Sequence, residues 1–119
     1  MPVPKPLGPA ERDASIREAV RRLVEYFHPE QIYLFGSTAR GEDRPDSDLD
    51  FLVVLPDTAP PHLLASGKEY ELFSGLPVAV EVVPWRRSGF EARRDWLMSL
   101  PAIVLREGRL VYDAQSQAA

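Results

Sequence analysis

Cysteine is absent, so disulfides, thiolate metal sites and cysteine nucleophiles are excluded. Lysine is nearly absent too: Lys5 and Lys68 are the only two, and arginine supplies the other basic groups. No apolar run approaches the roughly 18 to 20 residues that would span a bilayer, and no signal-peptide core follows Met1. There is no excess of positive charge. The net charge is −4 and the pI about 5.2, so no stable binding to nucleic acid is expected. With no membrane segment and no disulfide chemistry, a cytoplasmic protein is expected.

What is present fits one domain. The 119 residues are 45% hydrophobic and 27% charged, the balance of a soluble globular chain. Residues 1–9 are proline-rich and read as a flexible N-terminus, residues 10–112 as the domain, and 113–119 as a disordered tail.

Apolar residues at Ile16, Ala19, Val20, Leu23, Val24 and Phe27 follow helical spacing and predict a helix over Ala10–Phe27. His28-Pro29 stops it. Gln31–Phe35 reads as a strand ending at Gly36, with one or two helical turns over residues 37–41 closed by Gly41. Leu49–Leu55 is nearly all apolar, which predicts a central strand. Beyond a loop at Pro56–Pro61, a helix is predicted over His62–Phe73 and a turn at Gly75-Leu76-Pro77. A third strand is predicted over Val78–Val83, ended by Pro84. A further helix opens at Ser88 or Gly89 and stops at Pro101. Ile103–Arg106 and Arg109–Tyr112 flank Glu107-Gly108 and read as a hairpin. The alternation of elements implies an α+β fold, a small mixed sheet with helices packed on it.

Three acids stand out. Asp48 and Asp50 alternate at the entry to an apolar strand, so both side chains leave one face about 6–7 Å apart along the chain. Two carboxylates held so close repel each other unless one is protonated or a cation intervenes, and hard oxygen ligands select Mg²⁺ or Mn²⁺. Glu81 interrupts the apolar run Val78–Val83, where an unpaired acid is costly. If the two strands are neighbours, the three acids converge. Upstream, Gly36-Ser37 directs backbone N–H groups and a hydroxyl at whatever lies above the turn, an arrangement that favours phosphate. A phosphate cradle beside acids that hold a metal suggests a nucleoside triphosphate bound through Mg²⁺.

Ten residues separate Ser37 from Asp48-Leu49-Asp50. That pattern resembles the signature of DNA polymerase β-like nucleotidyltransferases. The wording Gly36-Ser37-Thr38-Ala39-Arg40-Gly41 and Ser47-Asp48-Leu49-Asp50-Phe51 is most similar to their minimal branch, the MntA-type antitoxins. The resemblance spans about residues 10–112 and implies a polymerase β-like nucleotidyltransferase core. It also implies that Gly36 and Ser37 hold the β- and γ-phosphates of ATP, while Asp48 and Asp50 bind two Mg²⁺ ions. Glu81 takes the place of the family's third carboxylate, commonly an aspartate, and completes the metal site. The implied activity is transfer of AMP to a tyrosine of a partner HEPN-type toxin, which silences it. Two alternatives are a nucleotidyltransferase acting on a small molecule of aminoglycoside type, and an antitoxin that neutralises its partner by binding alone.

The remaining polar and aromatic residues carry less. Arg40 and Arg44 could reach a triphosphate or pair with Glu42, Asp43 or Asp46. Arg86-Arg87 and Arg93-Arg94 read as a solvated helix face. His28 and His62 adjoin prolines and receive no role. Tyr33, Trp85, Trp96 and Tyr112 read as core or rim packing, although Trp85 could stack on an adenine.

Overall fold

The computed structural model describes residues 8–42, 47–65 and 69–117. The expected flexible segment at the N-terminus lies outside these residues except for its last two, and so does Arg44. Among the described residues no helix is long and apolar enough to cross a membrane.

Helix α1 (Pro9–Phe27) starts on a proline in its first turn and ends where His28 adopts a left-handed backbone, φ 49°. Strand β1 (Gln31–Phe35) follows, then β2 (Leu49–Leu55). A short 3₁₀ helix (Pro61–Leu64) and α2 (Glu69–Leu72) lead to β3 (Val80–Arg86), which passes directly into α3 (Arg87–Arg93). The chain closes with α4 (Leu100–Glu107), β4 (Arg109–Asp113) and α5 (Ala114–Gln117).

The four strands form one mixed sheet in the order β3-β2-β1-β4. β1 is antiparallel to both β2 and β4, and β2 is parallel to β3. The expected α+β architecture, a mixed sheet with helices packed on it, is what forms. β2 is interior and buried along nearly its whole length, which accounts for its unbroken apolar sequence.

Side chains of β2 alternate between two cores. Leu49, Phe51, Val53 and Leu55 pack with Ile16, Ala19, Leu23 and Phe27 of α1. Leu52 and Val54 face the other way and pack with Phe90 of α3 and Val104 of α4, joined by Tyr33, Phe35 and Trp85. Strand alternation therefore sets Asp50 on the second face, at the end where that core stops.

Several expected elements differ. Residues 62–73 are not one helix, because Ala65 is extended (φ −80°, ψ 134°) after the 3₁₀ helix. Strand β3 begins two residues later than expected and runs through Pro84. It lies at the edge of the sheet, where a missing N–H costs no bond on the open side. Pro101 opens α4 instead of stopping a helix. It sits in the first turn, behind a Ser99 cap whose Oγ accepts from the Ala102 N–H at 3.3 Å. Residues 103–106 are therefore helical, and β4 pairs with β1, not with a neighbour in a terminal hairpin.

Candidate functional site

The end of β1, the turn after it and the entries of β2 and β3 meet at one edge of the second sheet face. Gly36 has φ +79°, a backbone that favours glycine. A Cβ at this position would stand 2.5 Å from Asp50 Oδ2, so the absence of a side chain lets the turn lie directly on that carboxyl. Phe35, one residue earlier, is the register partner of Asp50 across β1 and β2.

The turn is not the helix the sequence suggested. It is a hydrogen-bonded loop in which the N–H of Arg40 donates to the Gly36 carbonyl at 3.2 Å, Gly41 to Thr38 at 3.2 Å and Glu42 to Ser37 at 2.9 Å. These bonds use the carbonyls of residues 36–38 as acceptors, with the donors coming from residues 40–42.

Asp50 and Glu81 are direct partners in the parallel register of β2 and β3, so their side chains leave the same face. The Asp50 carboxyl is pushed up from 3.8 to about 6: burial disfavours its charge, Glu81 hydrogen-bonds to it, and the charges of Glu81 and Asp48 add to the effect. Asp48 is exposed one alternation earlier and belongs to the same electrostatic group. The arrangement is therefore a pair of adjacent acids, Asp50 and Glu81, with a third acid beside it.

Such a set fits a hard divalent cation in donor type and charge, since a bound cation relieves the repulsion that now raises Asp50. The fit is chemical, not preformed. Among the described residues no group of three or more His, Cys, Asp or Glu is already arranged to hold a metal ion. Asp48, Asp50 and Glu81 would have to move their side chains to close on a cation.

Arg40 stands at the rim. Its guanidinium pairs with Glu42 at 3.2 Å and with Glu107, the last residue of α4, at 3.8 Å. The arginines expected to form a helix face are engaged elsewhere. Arg86 donates to the Ala59 carbonyl, Arg87 bonds Glu30 and Glu91, and Arg94 bonds Glu91. Arg93 lies 4.5 Å over the exposed Trp96 ring, while Trp85 is part of the second core.

One residue at the site escapes a reading of the sequence. Arg12 is buried on α1, and its Nη2 donates to Thr38 Oγ1 at 2.9 Å and to the Ser47 carbonyl at 2.7 Å. A signal exists for it. Arg12 stands four residues before Ile16, in line with the apolar stripe, where a solvated arginine has no place.

The sequence profile of the nucleotidyltransferase domain matches residues 14–103, and the chain belongs to that family. No curated protein matches it. Solved structures share the fold. A protein named as a nucleotidyltransferase from Sulfolobus solfataricus is 20% identical with a TM-score of 0.52, covering 92% of each chain. A mutant of the toxin–antitoxin pair MntA–HpeT is 22% identical with a TM-score of 0.55, over 86% of this chain and 75% of that one. A toxin–antitoxin complex with AMP-PNP is 23% identical with a TM-score of 0.53, over 85% and 75%.

Proposed function

We propose that this chain is a Mg²⁺-dependent protein adenylyltransferase, an antitoxin that transfers AMP from ATP to a tyrosine hydroxyl of a HEPN-type toxin. The observation that carries the proposal is the pairing of Asp50 with Glu81 directly beneath Gly36. It puts an unneutralised acid group against a turn whose glycine admits close approach. Membership of the nucleotidyltransferase family supports the reaction class. The fold shared with toxin–antitoxin structures, one of them with AMP-PNP, supports the nucleotide and the partner class.

In this reading Gly36 and Ser37 hold the β- and γ-phosphates through backbone N–H groups and the Ser37 hydroxyl. Arg40 leaves Glu42 and Glu107 to add a cation at the phosphates. Asp48, Asp50 and Glu81 hold the divalent metal, two ions in the full complement. When bound, the metal neutralises charge on the phosphates and lowers the pKa of the attacking hydroxyl. The acceptor oxygen attacks the α-phosphorus in line, and the bond from the α-phosphorus to the bridging oxygen breaks. Pyrophosphate leaves with that oxygen. Glu81 accepts the hydroxyl proton.

The test is mass spectrometry of a cognate HEPN-type partner incubated with this protein and Mg-ATP. A gain of about 329 Da per AMP residue is expected, lost with Asp48→Asn or Asp50→Asn. An unmodified partner, or modification that persists in both variants, refutes the proposal.

A second reading, neutralisation by binding alone, is favoured by one observation: the acids are not preset around a metal position. Under it, Asp48→Asn neutralises the partner as well as the wild type does.

A further inference from the structure

Helix α1 holds the sheet with Ile16, Ala19, Leu23 and Phe27, all buried in the first core. One turn before Ile16, the same face carries Arg12, only 6% exposed. A guanidinium withdrawn from water this far is tolerated only where its N–H groups are bonded. Two of its bonds run to segments far apart in sequence. Thr38 Oγ1 accepts at 2.9 Å and lies two residues beyond Gly36, in the turn. The Ser47 carbonyl accepts at 2.7 Å and immediately precedes Asp48.

We propose that Arg12 is a positioning residue that clamps the phosphate turn and the acid-bearing strand entry to a common reference, the core face of α1. This rests on the functional reading above, in which both segments must meet one nucleotide. Gly36–Gly41 is a loop and not a helix, so it lacks a helical ladder to fix it. The entry to β2 carries Asp48, exposed ahead of the paired strand, and Asp50. A single nitrogen bonded to both fixes their separation, and α1 is anchored well enough to serve as the frame. Lysine could keep the charge but not the planar, two-hydrogen geometry of Nη2. Arg12 itself touches no reacting atom.

The test joins hydrogen exchange with nucleotide kinetics in the full chain, using Arg12→Met, Arg12→Lys and Thr38→Val. In Arg12→Met, amides of residues 37–42 and of Leu49 are expected to exchange at least about tenfold faster while the β1–β2 ladder stays protected. Nucleotide turnover falls about a hundredfold in kcat, the scale of a small misplacement of reacting groups. Arg12→Lys recovers part of that loss. Thr38→Val speeds exchange in 37–42 alone, and adding it to Arg12→Met has no further effect. Exchange that is unchanged in 37–42, or accelerated evenly across the sheet, overturns the clamp. Should Arg12→Met not fold, Thr38→Val decides the matter by itself: faster exchange confined to 37–42 supports the clamp, and unchanged exchange there overturns it. Local exchange as expected, with a wild-type protein that transfers no AMP to the partner, instead refutes the functional proposal and leaves the clamp standing.

Discussion

Asp50 and Glu81 face each other across the parallel register of β2 and β3, and burial together with the neighbouring Glu81 holds the Asp50 carboxyl protonated above its usual range. An acid pair in contact stores unfavourable energy unless a proton or a cation sits between its members. Without a cation the proton does so, and with a cation that proton must leave. The fold thus holds its acids in an arrangement that is better for a ligand than for the free protein, as expected where function and stability compete.

Stability should therefore fall as pH rises. Asp50 titrates near 6 when folded and near 3.8 when unfolded. Between those values the folded chain binds more protons than the unfolded one. The stabilisation is full below about 3.8 and is lost as pH climbs through about 6. Solvent screening at this partly exposed site limits the effect to about 1 kcal/mol. Thermal melts of the metal-free protein should give a higher Tm at pH 5 than at pH 7.5, by about 2 °C, since part of the effect is already lost by pH 5. Asp50→Asn should flatten this dependence and raise the Tm at pH 7.5. An equal slope in the variant would place the titration elsewhere.

Mg²⁺ should reverse the sign at neutral pH. A cation that binds only the folded chain stabilises it by about 1.4 kcal/mol at ten times its Kd. Melts at pH 7.5 with increasing Mg²⁺ should rise for the wild type and stay level for Asp50→Asn and Glu81→Gln. If Glu81→Gln responds like the wild type, Glu81 is no ligand.

Gly36→Ala separates the turn from the core. The new methyl would meet Asp50 Oδ2 on a backbone with φ +79°. Because the atom it meets is the end of a side chain, the fold should survive, at a cost of about 1–2 kcal/mol for the strained backbone. The displaced Asp50 carboxyl then loses Glu81. Nucleotide turnover should drop far more than the Tm does, and a variant of ordinary activity would mean that close approach here has no role.

How far the sequence reveals all this depends on which forces act locally. α1, β1 and β2 are legible because their spacing, stops and apolar runs are set by burial in the core. Asp50 and Glu81 are legible as acids out of place in apolar strands, although their being neighbours depends on sheet order, which no local pattern encodes. Pro101 misleads because proline opens a helix as readily as it ends one, and only the Ser99 cap distinguishes the two. The segment around Ala65 carries apolar residues at helical spacing, yet its backbone is extended there. Arg12 is hidden because a charge at one helical position ordinarily means solvation, and its two acceptors lie in segments remote from α1.

Arg40→Ala tests whether the rim cation serves the phosphates or only its neighbours. Its pairs with Glu42 and Glu107 are half-exposed, and such pairs contribute little, within about 0.5 kcal/mol. The Tm should barely move. Affinity for Mg-ATP, measured by calorimetry, should weaken about tenfold if Arg40 turns to the phosphates. Unchanged affinity would leave it as a surface ion pair.

Gly108→Ala should be the most damaging small change to the fold itself. Gly108 joins α4 to β4, and its N–H donates to the Val104 carbonyl at 2.7 Å. A Cβ there would lie 2.5 Å from that same oxygen and 3.1 Å from the Leu34 carbonyl. Both are backbone atoms, so relief requires moving either the end of α4 or the centre of β1. Overpacking of this kind costs about 1–3 kcal/mol. The strain would also reach the site, because Glu107 pairs with Arg40 and Leu34 precedes Phe35, the partner of Asp50. Chemical denaturation should show the loss of stability, with Gly108→Ser no milder since the clash begins at Cβ. A wild-type midpoint for Gly108→Ala would mean that the helix-to-strand junction is looser than its contacts imply.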